Sequence, residues 1–331
     1  MTILKFSNDV TYLTPDMNVI NVSLDAMLAQ SASAQLAFQA TGYLPTVYEK
    51  ASPLRTSTVT VHLKVDEQLY TLETLTDKAL RKLNECRAEI TEDMSEEKRS
   101  LNLYAREQTI KTFKKGFSTA VKALQDQYKT ISGVTFDPAL TTTYKEKLLD
   151  ELPSLNAEIT AIDENLRTLD DSRTIINDAM ALLEKKNVAD IARDTLLTVE
   201  SLSALGLVAP EVELIKLAME HMRKTLEHIS EAINYQTMYD ERAKLIADIQ
   251  RVKSKKEACV KEMKTVTHKA TLLTSIHELF ASFFCARAEY AKIDQSVVAF
   301  VNHLALSDTA DFEDQLVGAA PSFIAYVNSA H

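Results

Sequence analysis

Leu196-Leu197-Thr198-Val199-Glu200-Ser201-Leu202-Ser203-Ala204-Leu205-Gly206-Leu207-Val208-Ala209-Pro210-Glu211-Val212-Glu213-Leu214-Ile215-Lys216-Leu217-Ala218-Met219 is the stretch around which this chain is organised. It carries only four charges, Glu200, Glu211, Glu213 and Lys216. Residues 154–205 before the break contain neither Gly nor Pro, and residues 211–317 after it lack both. Gly206 tolerates backbone angles that end a helix, and Pro210 fits the first turn of the next one. Two long helices are therefore expected to meet at a hinge of Gly206 and Pro210, forming a helical hairpin with an apolar tip.

The approach arm repeats apolar residues at Leu155, Ile159, Ile162, Leu166, Leu169, Ile176, Met180 and Leu183, with Arg173 in one slot. Steps of four and three specify a coiled-coil seam. The return arm answers with Met222, Leu226, Ile229 and Ile233. After a phase slip it continues through Leu245, Ile249, Val252, Cys259, Met263, Val266, Ala270, Leu273, Phe280 and Phe284, with Lys256 and His277 in two slots. The slip near Tyr235 to Glu241 is expected to be a stutter in one continuous helix. About fifty paired residues would make a rod roughly 75 Å long.

The remaining chain reads as helical too. With 46% hydrophobic residues, 5 Gly, 7 Pro and no Trp in 331 residues, an all-α fold with few turns is expected. Residues 1–15 read as an extended arm, Asn18 to Gln39 as a helix closed by Gly42, and Thr41 to Ser57 as a loop holding Pro45 and Pro53. Val65, Leu69, Leu72, Ala79, Leu83, Cys86 and Ile90 keep a heptad frame, with Thr76 in one slot, so one long helix is expected to run through Ile110. Gly116 would soften it before Phe117, Val121, Leu124, Tyr128 and Ile131 resume the face up to Gly133 and Pro138. Residues 272–301, the most apolar helix, should be buried among several neighbours. The last segment, with Gly318 and Pro321, should cap the bundle with short apolar turns. The expected organisation is a tail bundle from residues 1–150, a neck over 151–195, a head over 196–220, a return neck over 221–240, and a return helix over 241–331 that rejoins the tail.

Several chemistries are excluded. No glycine-rich phosphate loop, dinucleotide fingerprint or Gly-x-Ser-x-Gly elbow can be written with glycines this sparse. His277-Glu278-Leu279-Phe280-Ala281 imitates a zinc-protease helix but has Ala281 where the second histidine must stand. Glu220-His221 and Glu227-His228 recur one heptad apart, which separates the histidines by roughly 10 Å, too far for one ion within the helix. No catalytic residue, cofactor site or metal site is assigned, and the chain is not expected to be an enzyme. A net charge of -10 disfavours a nucleic-acid partner. Cys86, Cys259 and Cys285 are widely spaced, as expected of reduced thiols. Neither a secretory leader nor about eighteen consecutive apolar residues occurs, so no ready-made transmembrane helix is expected.

A dozen large apolar side chains in the tip, at about 1.5 to 3 kcal/mol each, represent roughly 20 to 35 kcal/mol of gross burial. Something must cover them. They could fold against their own stalk as an ordinary small core, or enter a membrane. Residues 186–206 or 210–230 have the length to span hydrocarbon, yet Asp190, Arg193, Asp194, Lys216, Glu220, Arg223 and Lys224 would need protein or water beside them. The stripe Val212, Ile215, Met219, Met222, Leu226, Ile229 leaves Glu213, Lys216, Glu220 and Lys224 on other faces, which suits a ring of copies or interfacial docking. If Glu200, Glu211 and Glu213 line a lumen, it should favour cations.

The phrase Phe6-Ser7-Asn8-Asp9-Val10-Thr11 and the loop Ala40-Thr41-Gly42-Tyr43-Leu44-Pro45-Thr46, joined to this hairpin layout, resemble the B component of the alpha-xenorhabdolysin binary cytolysins, within the cytolysin-A-like helical pore formers. The resemblance covers the whole chain. It implies a bacterial toxin subunit that leaves the cell without a signal peptide and rearranges on meeting its A component at a target-cell membrane. There the two would assemble into a hetero-oligomeric lytic ring. It makes Leu196, Leu197, Val199, Leu202, Leu205, Leu207, Val208, Val212, Leu214, Ile215, Leu217 and Met219 the membrane-insertion tip. The alternative is a coiled-coil tether whose apolar tip is a protein–protein interface.

Overall fold

The computed structural model describes residues 3–5, 10–91, 94–187, 189–194, 196–225, 233–304 and 311–330. Phe6 to Asp9, Leu226, Ile229 and the Glu227-His228 pair lie outside the described residues. Two three-residue strands, β1 (Ile3–Lys5) and β2 (Thr11–Leu13), pair antiparallel with Ile3 opposite Leu13. The other described elements are helices, so the chain is all-α: α1 (Met17–Thr41), α2 (Pro45–Ala51), α3 (Leu54–Ala88), α4 (Glu96–Ser132), α5 (Ala139–Lys185), α6 (Ala189–Asp194), α7 (Val199–Ala204), α8 (Ala209–Thr225), α9 (Tyr235–Leu304) and α10 (Phe312–Ser329). They form two compact units, one of Met1–Lys145 with His268–His331 and the other of Glu146–Thr267.

In the first unit α1 starts where the Asp16 carboxylate accepts the Val19 N–H, and it stops at Gly42, whose φ of 59° is left-handed. The expected loop after Thr41 is shorter than its prolines suggest. Pro45 occupies the first turn of α2, and Pro53 directly precedes α3. The single helix expected through Ile110 is two helices. α3 ends at Ala88, Ile90 is exposed, and α4 begins where the Ser95 hydroxyl accepts the Lys98 N–H, with Glu96 and Glu97 in the favourable first turn. The heptad residues Val65, Leu69, Leu72, Thr76, Ala79, Leu83 and Cys86 are buried as their spacing requires. Gly116 does not break α4. A Cβ there would lie 3.2 Å from a Leu75 methyl, so the glycine lets α3 and α4 approach closely.

The last segment is also a correction, because α10 runs as one helix through Gly318 and Pro321. Its buried face, Phe312, Leu316, Ala319, Ala320, Phe323, Tyr326 and Val327, has helical spacing over four turns and outweighs the proline. Phe323 stacks on Phe300 with centroids 4.0 Å apart and meets Phe117 edge-on at 5.9 Å. Tyr326 stacks on Tyr12 at 4.9 Å, which pins β2. That strand is fastened further by the Leu13 N–H on Ser296 Oγ at 2.7 Å and the Asp16 N–H on Glu289 at 2.7 Å, so β2 is part of the core. At the other end of α10, the Glu313 carboxylate accepts from Arg87 of α3 at 2.7 Å and pairs with Arg106 of α4 at 2.7 Å. Two cations on one nearly buried carboxylate hold α10 to the α3–α4 pair.

In the second unit the seam is as read: Leu155, Ile162, Cys259 and Val266 are buried, with Ile159, Leu166, Val252 and Met263 packed beside them. Lys256, which interrupts the apolar series, reaches Asp163 across the seam at 2.6 Å. The approach arm, however, is not one helix from residue 154 to residue 205. α5 stops at Lys185, and Asn187 adopts a left-handed φ of 56°, a conformation asparagine tolerates better than most residues. The slip near Tyr235 is no stutter either. Asn234 accepts the Thr237 N–H at 2.8 Å and starts α9 as a separate helix from α8. All three cysteines are free thiols, Cys86 and Cys259 buried and Cys285 exposed.

Candidate functional site

The stretch that opened the sequence is folded onto its own stalk. Leu197, Leu202, Leu207, Val212, Ile215 and Met219 are buried against Ile176, Met180 and Leu183 of α5 and Ile233, Met238 and Leu245 on the return side. Leu205 and Leu214 are half-buried, while Leu196, Val208 and Leu217 are 49%, 58% and 45% exposed. The side chain of Val199 lies outside the described residues. Six buried tip side chains correspond to about 9 to 18 kcal/mol of gross burial, near half of what the stretch offers. This is the small-core arrangement, closed within one unit.

Short polar contacts hold the stretch in this arrangement. Thr198 and Ser201 form a reciprocal capping box at the start of α7: the Thr198 N–H donates to Ser201 Oγ at 2.7 Å, and the Ser201 N–H to Thr198 Oγ1 at 3.2 Å. The Ser201 hydroxyl donates in turn to the Leu196 carbonyl at 2.7 Å. The Leu197 N–H donates to the Ile233 carbonyl at 2.9 Å, tying the two ends of the head together by backbone. Gly206, with a φ of 75°, stands between α7 and α8, whereas Pro210 is the second residue of α8 and lies in its first turn. Glu211 accepts the Val208 N–H at 3.0 Å and pairs with Lys186 at 2.9 Å; these two contacts hold its carboxyl below the ordinary carboxylate range. Glu200 is also lowered, by its own backbone N–H and then the Thr198 hydroxyl, while Glu213 pairs with Lys216 at 2.9 Å. The Tyr235 hydroxyl donates to Glu184 and, through burial first and that carboxylate second, is pushed up to about 12.

Sequence reasoning identified the apolar side of this core but missed Ala179, Ala192 and Met238, which close it. Alanine in an amphipathic helix carries little hydrophobic signal, and Met238 lies just after the break that begins α9. The stripe on α8 is real: Val212, Ile215, Met219 and Met222 are all buried. The expected twenty-residue span from Lys186 to Gly206 is not one helix, since α6 and α7 have six residues each. Among the described residues no helix is long and apolar enough to cross a membrane.

The protease-like His277 does other work. Its Nε2 lies 2.7 Å from the Thr141 hydroxyl, and Phe136 meets the ring edge-on at 5.8 Å. Among the described residues no three His, Cys, Asp or Glu side chains are grouped to hold a metal. Burial first and Lys145 second hold the imidazole below its usual 6.5. The unfolded chain then takes up a proton the folded one refuses. This contribution to stability is complete above pH 6.5 and is lost as pH falls from there toward the lower folded value. Urea titrations at about pH 7 and about pH 5 should show a loss on acidification that is smaller in His277→Gln. An equal loss in both chains would remove His277 as its source.

No protein-family model matches the sequence, and no curated protein sequence matches it. Solved structures do match. PaxB from Photorhabdus luminescens shares the fold with a TM-score of 0.70 at 18% identity, over 96% of this chain and 96% of that one. XaxB from Xenorhabdus nematophila gives 0.71 at 17% identity, over 93% and 96%. A chain of the XaxAB pore complex from the same organism gives 0.60 at 16% identity, over 94% and 97%. Along nearly its whole length this chain has the fold of PaxB and XaxB, a fold found also in the XaxAB pore complex.

Proposed function

We propose that this chain is a subunit of a bacterial binary pore-forming cytotoxin, and that the unit described here is its closed form before insertion. The observation that carries the reading is the head itself. A stretch with only four charges in 24 residues is stored as a small core between short helices, with breaks at Asn187, Gly206 and Asn234 that can absorb a rearrangement. The fold shared with XaxB and with a chain of a pore complex supports it. In this reading residues 1–150 and 241–331 build the tail, 151–195 and 221–240 the neck, and 196–220 the head. The partner is an A component, the target is a lipid bilayer, and the product is a hetero-oligomeric ring. The tip residues Leu196 to Met219 exchange their protein neighbours for lipid, and the ion pairs of Glu211 with Lys186 and Glu213 with Lys216 are released or turned inward.

Exposed positions test the membrane contact without disturbing the closed core. Leu196→Asp, Val208→Asp and Leu217→Asp combined should reduce dye release from phosphatidylcholine–cholesterol vesicles, measured with the A component present, by about tenfold or more. Helical content should be unchanged by circular dichroism. Leakage at the wild-type rate would remove this head as the inserting element. A tether reading instead needs the tip free for another protein, whereas six of its large side chains are already packed within their own unit.

A further inference from the structure

The stalk of the second unit is electrically two-sided. Residues 146–185 of α5 carry ten Asp and Glu against four Lys and Arg, whereas residues 235–267 of α9 carry eight Lys and Arg against five Asp and Glu. Where the helices meet, Glu158 pairs with Lys255 at 3.0 Å and Asp163 with Lys256 at 2.6 Å. Those pairs use only charges flanking the seam. Asp150, Glu151, Glu164 and Asp171 are exposed, and none has an ion pair among the described residues. Lys253, Lys261 and Lys264 on α9 are exposed and equally without a carboxylate partner, while Lys244 and Arg251 pair only within their own helix.

The two sets match in height. The two cross-seam ion pairs and the contact of the Cys259 thiol with the Leu155 carbonyl fix an antiparallel register. Carried along both helices at about 1.5 Å per residue, it sets Asp150 level with Lys261 and Lys264 and Glu164 level with Lys253; at about 100° per residue Asp150, Glu164 and Asp171 share one side of α5, and Lys253, Lys261 and Lys264 share one side of α9. Two copies standing side by side would bring these levels together. A face that meets a different face of the next copy is a heterologous contact, the kind that closes into rings.

We infer that copies of this chain pack laterally in the assembled state, the acidic outer face of α5 against the basic face of α9 on the next copy. The inference rests on the pore-subunit reading, which supplies the assembled state. A second copy is the occupant because both halves of the interface, at matched levels, are on this one chain. Each exposed pair contributes no more than about 1 kcal/mol, but several at one junction, repeated around a ring, add up and select the register. Arg167 and Lys147 on α5 and Glu257 and Glu262 on α9 dilute the contrast without reversing either helix's sign.

The test uses two charge-reversed full-length chains, Asp150→Lys with Glu164→Lys, and Lys253→Glu with Lys264→Glu. Each is incubated with phosphatidylcholine–cholesterol vesicles, with and without the A component, and treated with a zero-length carbodiimide that joins lysines to carboxylates. The wild-type chain should give a ladder of like-chain products that fades at about 0.5 M salt. Each reversed chain alone presents like charges on both faces and should lose the ladder by about tenfold. An equimolar mixture of the two should recover it, because each repairs the face the other has lost. A wild type without a ladder, a mixture no better than its components, or products joined only to the A component would overturn the inference. Dye release from the same samples separates the two readings. Leakage that persists without a ladder removes the interface and leaves the pore; a ladder without leakage in the wild type does the reverse.

Discussion

Leu197→Cys with Ile233→Cys, oxidised to a disulfide, should lower vesicle leakage by about hundredfold, and reduction should restore it to within about twofold of the reduced control. The site follows from the closed head. The Leu197 N–H already donates to the Ile233 carbonyl at 2.9 Å, and both side chains are buried, so the two backbones are held side by side where the cysteines are placed. Cys86 and Cys259 are buried and would not compete, and Cys285→Ser removes the one exposed thiol. The expected effect is large because of what the bond closes. In the proposed reading, opening the head exposes apolar surface worth on the order of 10 kcal/mol, which a bilayer or neighbouring subunits then cover. A covalent bond from 197 to 233 leaves α7 and α8 helical but keeps the two ends of the head together, so neither end can leave the small core by itself. Full leakage from a chain shown by mass spectrometry to be completely oxidised would mean that lysis proceeds with the head shut. The membrane contact of this stretch would then have to be given up.

The fold was most legible where periodicity acts over many turns. The seam residues Leu155, Ile159 and Ile162 on one side and Val252, Cys259 and Met263 on the other needed no tertiary knowledge, because a 3.5-residue repeat has one low-energy packing. Ends of helices were legible only when glycine marked them, as at Gly42. The turn between α3 and α4 has neither Gly nor Pro, and its one local signal, Ser95 followed by two glutamates, was outweighed by the long apolar frame around it. Pro321 gave the opposite error, since seven buried side chains on α10 sustain a helix that local propensity would end. At the head, the sequence showed which side chains must be covered but not by what. Own-stalk packing and lipid satisfy the same hydrophobic pattern, and only the positions of Ile176, Met180 and Leu183 beside Leu202 and Ile215 decide for the first.

Phe323→Ala should lower the unfolding free energy by about 3 to 5 kcal/mol, read from urea denaturation followed by circular dichroism. Phe323 is fully buried where four parts of the first unit converge: it stacks on Phe300 of α9 at 4.0 Å and lies 5.9 Å from Phe117 of α4, 6.1 Å from Tyr12 of β2 and 6.3 Å from Tyr326 of its own helix. Removing the ring costs its transfer energy, its stacking on Phe300, and a cavity bounded by aromatic groups that cannot collapse without moving three elements at once. Phe323→Leu keeps most of the volume and should cost less than half as much. The same substitution should loosen β2, because Tyr12 has one face on Tyr326 and its next aromatic neighbour is the ring removed, so protease cleavage near residues 10–13 should quicken in Phe323→Ala before the global transition is reached. A loss below about 1 kcal/mol would show that α10 is an appendage to the bundle and not one of its structural members.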